Sequence, residues 1–174
     1  MDDQATFAPA FPAPLGYPQG AVIVAPQQRL AFLHQGRTTV PGSHTAADIW
    51  RLMMARPIPG LRQAFWLRDA ISARFGVARI GGFSGTRQTV TKGGKLDFFL
   101  VEDVRDGALV LTARDRHLDV MISITATPAG PATDVGITAS VITHNAFGRA
   151  YMLPVAPAHK WIVAAMLGRM QRAA

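Results

Sequence analysis

Residues 118–141 carry the clearest pattern in the chain and read LDVMISITATPAGPATDVGITASV. Apolar side chains alternate with polar or small ones in two runs, at Leu118, Val120, Ile122 and Ile124 and then at Val135, Ile137, Ala139 and Val141. Strict alternation on both sides of a turn-forming segment predicts an antiparallel hairpin with one buried face. Because both apolar runs must share that face, opposed residue numbers sum to about 261 or about 259. The first sum places His117 opposite His144, and the second places Asp115 there.

Shorter patterns predict further strands of the same sheet. The Asp106-Gly107 pair suits a tight turn between strands at residues 96–104 and 108–114. A first strand is predicted at residues 31–40 and a last strand at residues 147–152. Turn residues between consecutive runs are typical of an antiparallel sheet.

Helix signals lie before and after these strands. Thr45 and Asp48 form a capping box that begins a short helix, and residues 61–75 have helical spacing after a proline-rich corner. Residues 157–171 are predicted to form a long apolar helix with proline in its first turn. A strand, two short helices, a run of antiparallel strands and a long final helix predict an α+β helix-grip fold, in which a curved sheet wraps around the last helix.

Length and composition are those of one globular domain. The chain has 174 residues, of which 49% are hydrophobic and 17% charged, so packing alone can stabilise the fold. Residues 1–20, rich in proline and alanine, are predicted to be an N-terminal tail, and residues 21–174 a single helix-grip domain. The absence of cysteine excludes thiol nucleophiles, Cys-ligated zinc and disulfides.

The charge and the motifs of the sequence indicate which kinds of partner and cofactor are not expected. The net charge is +7, from 18 Lys and Arg against 11 Asp and Glu, but the basic residues are scattered, so no dedicated nucleic-acid function is expected. No segment has the ~20 apolar residues of a membrane helix, so no membrane span is expected. The acidic, proline-interrupted N-terminus is unlike a signal peptide, which favours a cytoplasmic location. Histidine spacing matches no known metal motif, and no metal or cofactor is expected.

Three stretches of the sequence resemble one family. They are residues 57–76, from Pro-Ile-Pro-Gly-Leu to Phe-Gly, residues 115–119, Asp-Arg-His-Leu-Asp, and residues 144–160, from His-Asn to His-Lys. Over residues 30–172 the chain resembles a bacterial family called domain of unknown function 2867. It departs from that family at Pro59-Gly60, where an aromatic residue is usual, and at Lys160, where arginine is usual.

The resemblance implies a fold and a kind of ligand. The family is similar to the START-like, Bet v 1-like helix-grip superfamily. That likeness implies a cavity between the sheet and the last helix, which relatives use for lipids, hormones, polyketides or aromatic substrates. No reaction is attached to the family.

The Asp-Arg-His-Leu-Asp stretch is the first candidate polar site. Asp119 is two residues from His117 and would orient it as a general base. The alternative is a structural role, in which Asp115 and Arg116 complete a turn at the start of a strand. Either predicted register brings His144 to this cluster.

A second group of candidates belongs to the predicted cavity. His159 lies on the apolar side of the last helix, near the predicted N-terminus, where the helix dipole disfavours a protonated imidazole. It is either a polar contact for a ligand or a core histidine with its hydrogen bonds satisfied. Tyr151, Trp66 and Arg68 are further candidates for the pocket wall.

Three classes of function stay open. The first hypothesis is a protein that binds a small apolar or amphipathic molecule in the cavity, with polar contacts among Tyr151, His159 and Arg68. The second is a cyclase, hydratase or dehydratase that uses a His/Asp pair in the same cavity. The third is a protein-interaction module that uses a sheet edge or the proline-rich tail.

Overall fold

The computed structural model of the chain describes residues 10–55 and 89–172. These residues contain the following strands and α-helices in order: β1 (Phe11–Pro12), β2 (Val22–Ile23), β3 (Phe32–Pro41), α1 (Ala46–Met54), β4 (Lys95–Leu96), β5 (Phe99–Arg105), β6 (Ala108–Arg114), β7 (Leu118–Ala129), β8 (Ala132–Thr143) and α2 (Ala146–Arg172). A 3-10 helix, Gln27–Arg29, lies between β2 and β3. The predicted second helix, at residues 61–75, lies outside the described residues.

The main sheet is antiparallel and has the strand order β3-β8-β7-β6-β5-β4. Its central hairpin, β7 and β8, pairs Leu118 with Thr143 and Val120 with Val141. Both pairs have the sum 261, so the first predicted register is confirmed. Next to the Leu118–Thr143 pair, the His144 amide donates to the His117 carbonyl at 2.8 Å.

The inner face of the sheet carries the hydrophobic core. Ile124 of β7 and Ile137 of β8 are buried there with Ile49 of α1 and with Val163 and Met166 of α2. The alternating apolar residues of the hairpin therefore face both helices, as the sequence predicts. An antiparallel sheet that packs its inner face on a long C-terminal helix is a helix-grip α+β fold, and this prediction is confirmed.

The outer face of the sheet is covered by the N-terminal segment. The Val22 amide donates to the Ser123 hydroxyl at 3.2 Å, and the Val24 amide donates to the Ser140 hydroxyl at 3.0 Å. Val24 and Met121 are buried in a small second hydrophobic cluster on this side. Residues 10–20, part of the predicted tail, include β1, which pairs with β2 in a separate two-stranded sheet.

The first helix begins as the sequence predicts. Thr45 is the N-cap of α1, and its hydroxyl accepts from the Asp48 amide at 3.2 Å while Asp48 accepts from the Thr45 amide at 3.1 Å. Hydrogen bonds from the Thr45 side chain and backbone lower the pKa of the Asp48 carboxyl. The capping box is thus complete in both directions.

The start of the last helix differs from the prediction. Residues 147–152 are helical and belong to α2, so the predicted last strand is wrong. Pro154 and Pro157 lie inside the helix, where the sequence suggested that the helix begins. Both prolines are exposed, so the carbonyl groups that lose a hydrogen bond to them can reach water. An exposed position therefore allows this helix to continue through two residues that usually interrupt one.

Candidate functional site

Two histidine rings meet between β3 and α2. Their centroids are 5.8 Å apart, and the rings of His34 and His159 are almost perpendicular, with an interplanar angle of 87°. Phe32 lies beside both, 5.6 Å from His159 and 6.2 Å from His34. His34 has the same parity along β3 as buried Val40, so it faces the inner side of the sheet.

The pKa values of both imidazoles are lowered from the usual 6.5, which favours the neutral form of each ring at pH 7. Burial and, to a smaller extent, the nearby His34 lower the pKa of His159 to about 4. Burial also lowers the pKa of His34, with a smaller contribution from the positive charge of Lys160. The expected cause, a nearby helix N-terminus, is wrong for His159, because α2 begins at Ala146 and His159 lies in its middle. Desolvation is the cause instead.

Each of these rings has one buried nitrogen without a hydrogen-bond partner. The Nδ1 atoms of His34 and His159 are both buried, and neither has a partner in the described part of the chain. An unpaired buried polar atom costs about 1–3 kcal/mol. Gln35, Thr38 and Thr138 each have one such atom too, but all three residues belong to strands of the sheet and none to a helix. The two histidines are distinct because the unpaired atoms belong to neighbouring rings on different elements.

The inner face of the sheet is less completely covered next to these rings. Phe32 and His34 lie in the same cross-strand rows as Val120 and Ile122, respectively. Val120 and Ile122 are half-buried, whereas Ile124 in the next row is fully buried. Ala139 and Val141, which lie between these residues and β3 in the same rows, are buried. In these two rows the incomplete cover is therefore at the apolar side chains of Val120 and Ile122.

A second polar group lies where the central hairpin meets the start of α2. The Asp115 carboxylate accepts from the backbone amides of His117 and Leu118, at 2.6 and 3.0 Å. The Arg116 Nε–H donates to His117 Nε2 at 3.0 Å. Since arginine only donates, Nε2 accepts this bond, and Nδ1 lies 2.9 Å from the Asn145 Nδ2 and 3.2 Å from the Asn145 Oδ1. Both ring nitrogens of His117 are thus engaged within the protein.

Asn145 connects this group to the last helix. Its Oδ1 accepts from the Gly148 amide at 3.0 Å, which caps the N-terminus of α2, and its Nδ2 donates to the Arg116 carbonyl at 3.0 Å. The His117 ring packs on Phe147 with a centroid distance of 4.6 Å. These contacts favour a structural role for the residues at this position.

The predicted pairing of Asp119 with His117 does not occur. Asp119 Oδ1 instead contacts His144 Nε2 at 3.1 Å, and both side chains are partly exposed. His144 does join the Asp-Arg-His-Leu-Asp stretch at one end of the sheet, through its backbone bond to His117 and its contact with Asp119. The predicted cluster is therefore present, but Asp119 contacts His144 in it and not His117.

The remaining predicted site residues separate into two groups. Tyr151 stacks on Phe147 with a centroid distance of 6.4 Å, in the first turns of α2. Trp66 and Arg68 lie outside the described residues.

His34 is absent from the sequence prediction, because the inward-facing positions of β3 mix polar and apolar types and show no clear alternation. Its parity with Val40, once the strand is assigned, is the signal that identifies it.

No group of three or more His, Asp or Glu side chains among the described residues could hold a metal ion. No helix within residues 10–55 and 89–172 is long and apolar enough to cross a membrane.

Fold and site together define a helix-grip α+β protein with a half-buried histidine pair between its sheet edge and its C-terminal helix. The chain belongs to the family of proteins of unknown function DUF2867, whose model matches residues 27–166. None of the curated proteins compared with the chain matches it.

Two solved structures match most of the chain at low sequence identity. An uncharacterised protein from Rhizobium leguminosarum is 10% identical, with a TM-score of 0.42, over 83% of this chain and 100% of that chain. A member of the major latex protein family from Arabidopsis thaliana is 13% identical, with a TM-score of 0.32, over 76% of this chain and 95% of that chain.

Proposed function

We propose that this protein binds a small apolar or amphipathic molecule between the inner face of the sheet and α2, with His34 and His159 as its polar contacts. The observation that carries the proposal is the pair of buried Nδ1 atoms without partners in the described part of the chain. A hydroxyl or carbonyl group of a bound molecule would satisfy such atoms and recover the free energy that their burial costs.

The residues around the pair indicate the character of the ligand. Phe32, Val120 and Ile122 offer apolar and aromatic surface. A neutral imidazole has one donor and one acceptor nitrogen, which suits a hydroxyl, carbonyl or amide group. Lys160 is close enough to lower the pKa of His34, and its charge disfavours a cationic ligand. A neutral or anionic molecule with an apolar body fits this environment.

A catalytic function has weaker support. The second hypothesis requires a His/Asp pair in the cavity, but Asp119 pairs with His144 at the end of the sheet, where both are partly exposed. Among the described residues, no carboxylate contributes to the lowered pKa of His34 or His159. Binding without acid–base chemistry is therefore the function that these contacts favour.

Fluorescence titration of the protein with anilinonaphthalene sulfonate, an anionic aromatic probe, tests the proposal by measuring the affinity for the probe. His159→Phe keeps an aromatic ring but removes both nitrogens, and we expect it to weaken binding of the probe about tenfold, as loss of one hydrogen bond to a buried group would do. His144→Phe is the matched control, because His144 is exposed and pairs with Asp119, and it should bind like the unmodified chain.

Native mass spectrometry of the purified chain provides a second measurement. A small molecule that stays bound to the unmodified protein and is lost in His159→Phe would identify the ligand directly. The proposal is wrong if the unmodified folded chain does not bind the probe. It is also wrong if His144→Phe weakens probe binding and His159→Phe does not, because the end of the sheet is then the binding site.

A further inference from the structure

The solvent side of α2 is unusually apolar for the surface of a protein. Leu153 is 77% exposed and Trp161 is 59% exposed. They lie eight residues apart, which places them on one side of the helix about 12 Å from each other along its axis. Pro157 and Ala164 are exposed on the same side. A helix that is apolar on both its buried and its solvent side is expected to be covered on both.

The charges on this side have one sign. Arg149 and Lys160 are exposed there, three helical turns apart, and residues 146–174 contain no aspartate or glutamate. Neither cation forms an ion pair within the described part of the chain. We call the side that carries Arg149, Leu153, Pro157, Lys160 and Trp161 the exposed face of α2. Its partner is therefore expected to be anionic.

We propose that the exposed face of α2 docks on the surface of an anionic lipid bilayer. Leucine and tryptophan are the side chains that interfacial helices insert at the boundary of headgroups and acyl chains, and tryptophan favours that depth because its ring is apolar while its N–H is polar. Arg149 and Lys160 would contact lipid phosphates, because basic residues beside an apolar helix face are attracted to anionic headgroups.

The two prolines favour a lipid headgroup region over a dry protein interface. Pro154 and Pro157 have no N–H, so the carbonyl groups of Ala150 and Leu153 lose their usual helical partners. In a protein interface these carbonyls would need matched donors, whereas water hydrates them in the headgroup region. The helix would lie in the plane of the surface, since none of the described helices is able to cross a membrane.

A second copy of the chain fits this face less well. A symmetric dimer would place the same face of two molecules in contact and would bring Arg149 and Lys160 of both together. Each chain carries a net charge of +7, so repulsion adds to that local cost. The proposal is independent of the histidine pair, which lies on the opposite, buried side of the helix.

Sedimentation with vesicles tests the proposal on the full chain. We expect the protein to bind vesicles of phosphatidylcholine mixed with phosphatidylglycerol, to bind vesicles of pure phosphatidylcholine much more weakly, and to dissociate when salt is raised. Arg149→Gln and Lys160→Gln should each weaken binding to the mixed vesicles about fivefold. Lys95→Gln, on exposed Lys95 of β4, is the charge control and should lose less.

Separate variants test the contribution of the apolar side chains of the exposed face of α2. The double variant Leu153→Ser with Trp161→Ser should weaken vesicle binding at least tenfold. Its circular dichroism and melting temperature should stay close to those of the unmodified chain, because both side chains are exposed. Leu52→Ser is the matched control, since Leu52 is 41% exposed on α1, and it should bind the vesicles normally.

Three results would overturn the proposal. The first is an unmodified chain that does not sediment with the mixed vesicles. The second is a double variant that binds them as well as the Leu52→Ser control. The third is a dimer in light scattering that the double variant dissociates while vesicle binding is unchanged, because a second copy of the chain then covers the face.

Discussion

The backbone carbonyl oxygen of His117 lies against Gly148 in the first turn of α2, so closely that a Cβ atom on Gly148 would overlap it. The same carbonyl accepts the His144 amide at 2.8 Å. Backbone contacts therefore join the end of the central hairpin to the start of the last helix. This relationship requires glycine for space, not for an unusual φ angle.

Gly148→Ala is expected to destabilise the protein by about 1–3 kcal/mol, because the atom that blocks the new methyl group is a backbone oxygen that cannot rotate away. Helix propensity alone predicts the opposite sign, a gain of up to about 1 kcal/mol. Urea unfolding gives the sign directly. Arg149→Ala is the control on the next, exposed residue and should change the free energy of unfolding by less than about 0.5 kcal/mol. A stabilised Gly148→Ala variant would contradict the close contact.

The stability of the protein should depend on pH through His159. Its pKa is about 4 when folded and 6.5 when unfolded, so the unfolded chain binds more protons as the pH falls through this range. The free energy of unfolding should therefore decrease on acidification, by about 2 kcal/mol between pH 7 and pH 5. Below about pH 4 this contribution stops growing, because both states are then protonated. His34 acts in the same direction, since burial also lowers its pKa.

Urea unfolding of variants at the two pH values separates the contribution of His159 from that of other histidines. His159→Phe should remove most of the decrease, whereas His144→Gln should keep it, because His144 is exposed beside Asp119. Asp48 does not interfere, since its lowered pKa affects stability only at more acidic pH. An unchanged pH dependence in His159→Phe would show that burial of this imidazole is not its cause.

The sequence predicts those parts of the fold that follow from local rules. The parity of Val120 and Val141 determines the register of the central hairpin, because a slip by one residue would turn one apolar run outward. The capping box at Thr45 is equally local, since its hydrogen bonds join residues three apart. Neither feature depends on contacts with other parts of the chain.

The parts that the sequence does not predict depend on solvent and on distant partners. Pro154 is acceptable inside α2 only because that side of the helix faces water, which the sequence does not state. His34 and His159 are 125 residues apart, by subtraction of their numbers, and they meet only once β3 is an edge strand beneath α2. Residue spacing therefore does not predict the histidine pair, and the sequence identifies only His159 as a candidate.

Ser140→Ala tests how firmly the N-terminal segment covers the outer face of the sheet. The variant would leave the buried Val24 amide without its acceptor, which lies at 3.0 Å, and should cost about 1–2 kcal/mol. Hydrogen exchange at the Val24 amide should become faster, while exchange at the Ile137 amide of the central hairpin should change little. Ser43→Ala, at an exposed serine, is the control. Equal exchange rates at Val24 in both variants would indicate that this bond does not hold the segment.

The packing of α2 on β3 can be tested at Gly36 and Leu167. A Cβ atom on Gly36 would lie 2.5 Å from Leu167 Cδ1 and 2.9 Å from Val163 Cγ1. Both side chains are buried, so Gly36→Ala should cost about 1–3 kcal/mol by overpacking. Leu167→Ala should cost about 2–5 kcal/mol, because it leaves a cavity in the core.

The double variant of Gly36 and Leu167 separates direct contact from unrelated effects. In Gly36→Ala with Leu167→Ala the new methyl group occupies part of the space that the leucine leaves, so the loss of unfolding free energy should be smaller than the sum of the single losses by about 1 kcal/mol. Pairing Gly36→Ala with Met121→Ala, a buried residue of the outer-face cluster, should give additive losses, because the two sites lie on opposite faces of the sheet. Additivity in both pairs would mean that α2 does not press on β3 at this glycine, and the close fit of the last helix to the edge strand would be wrong.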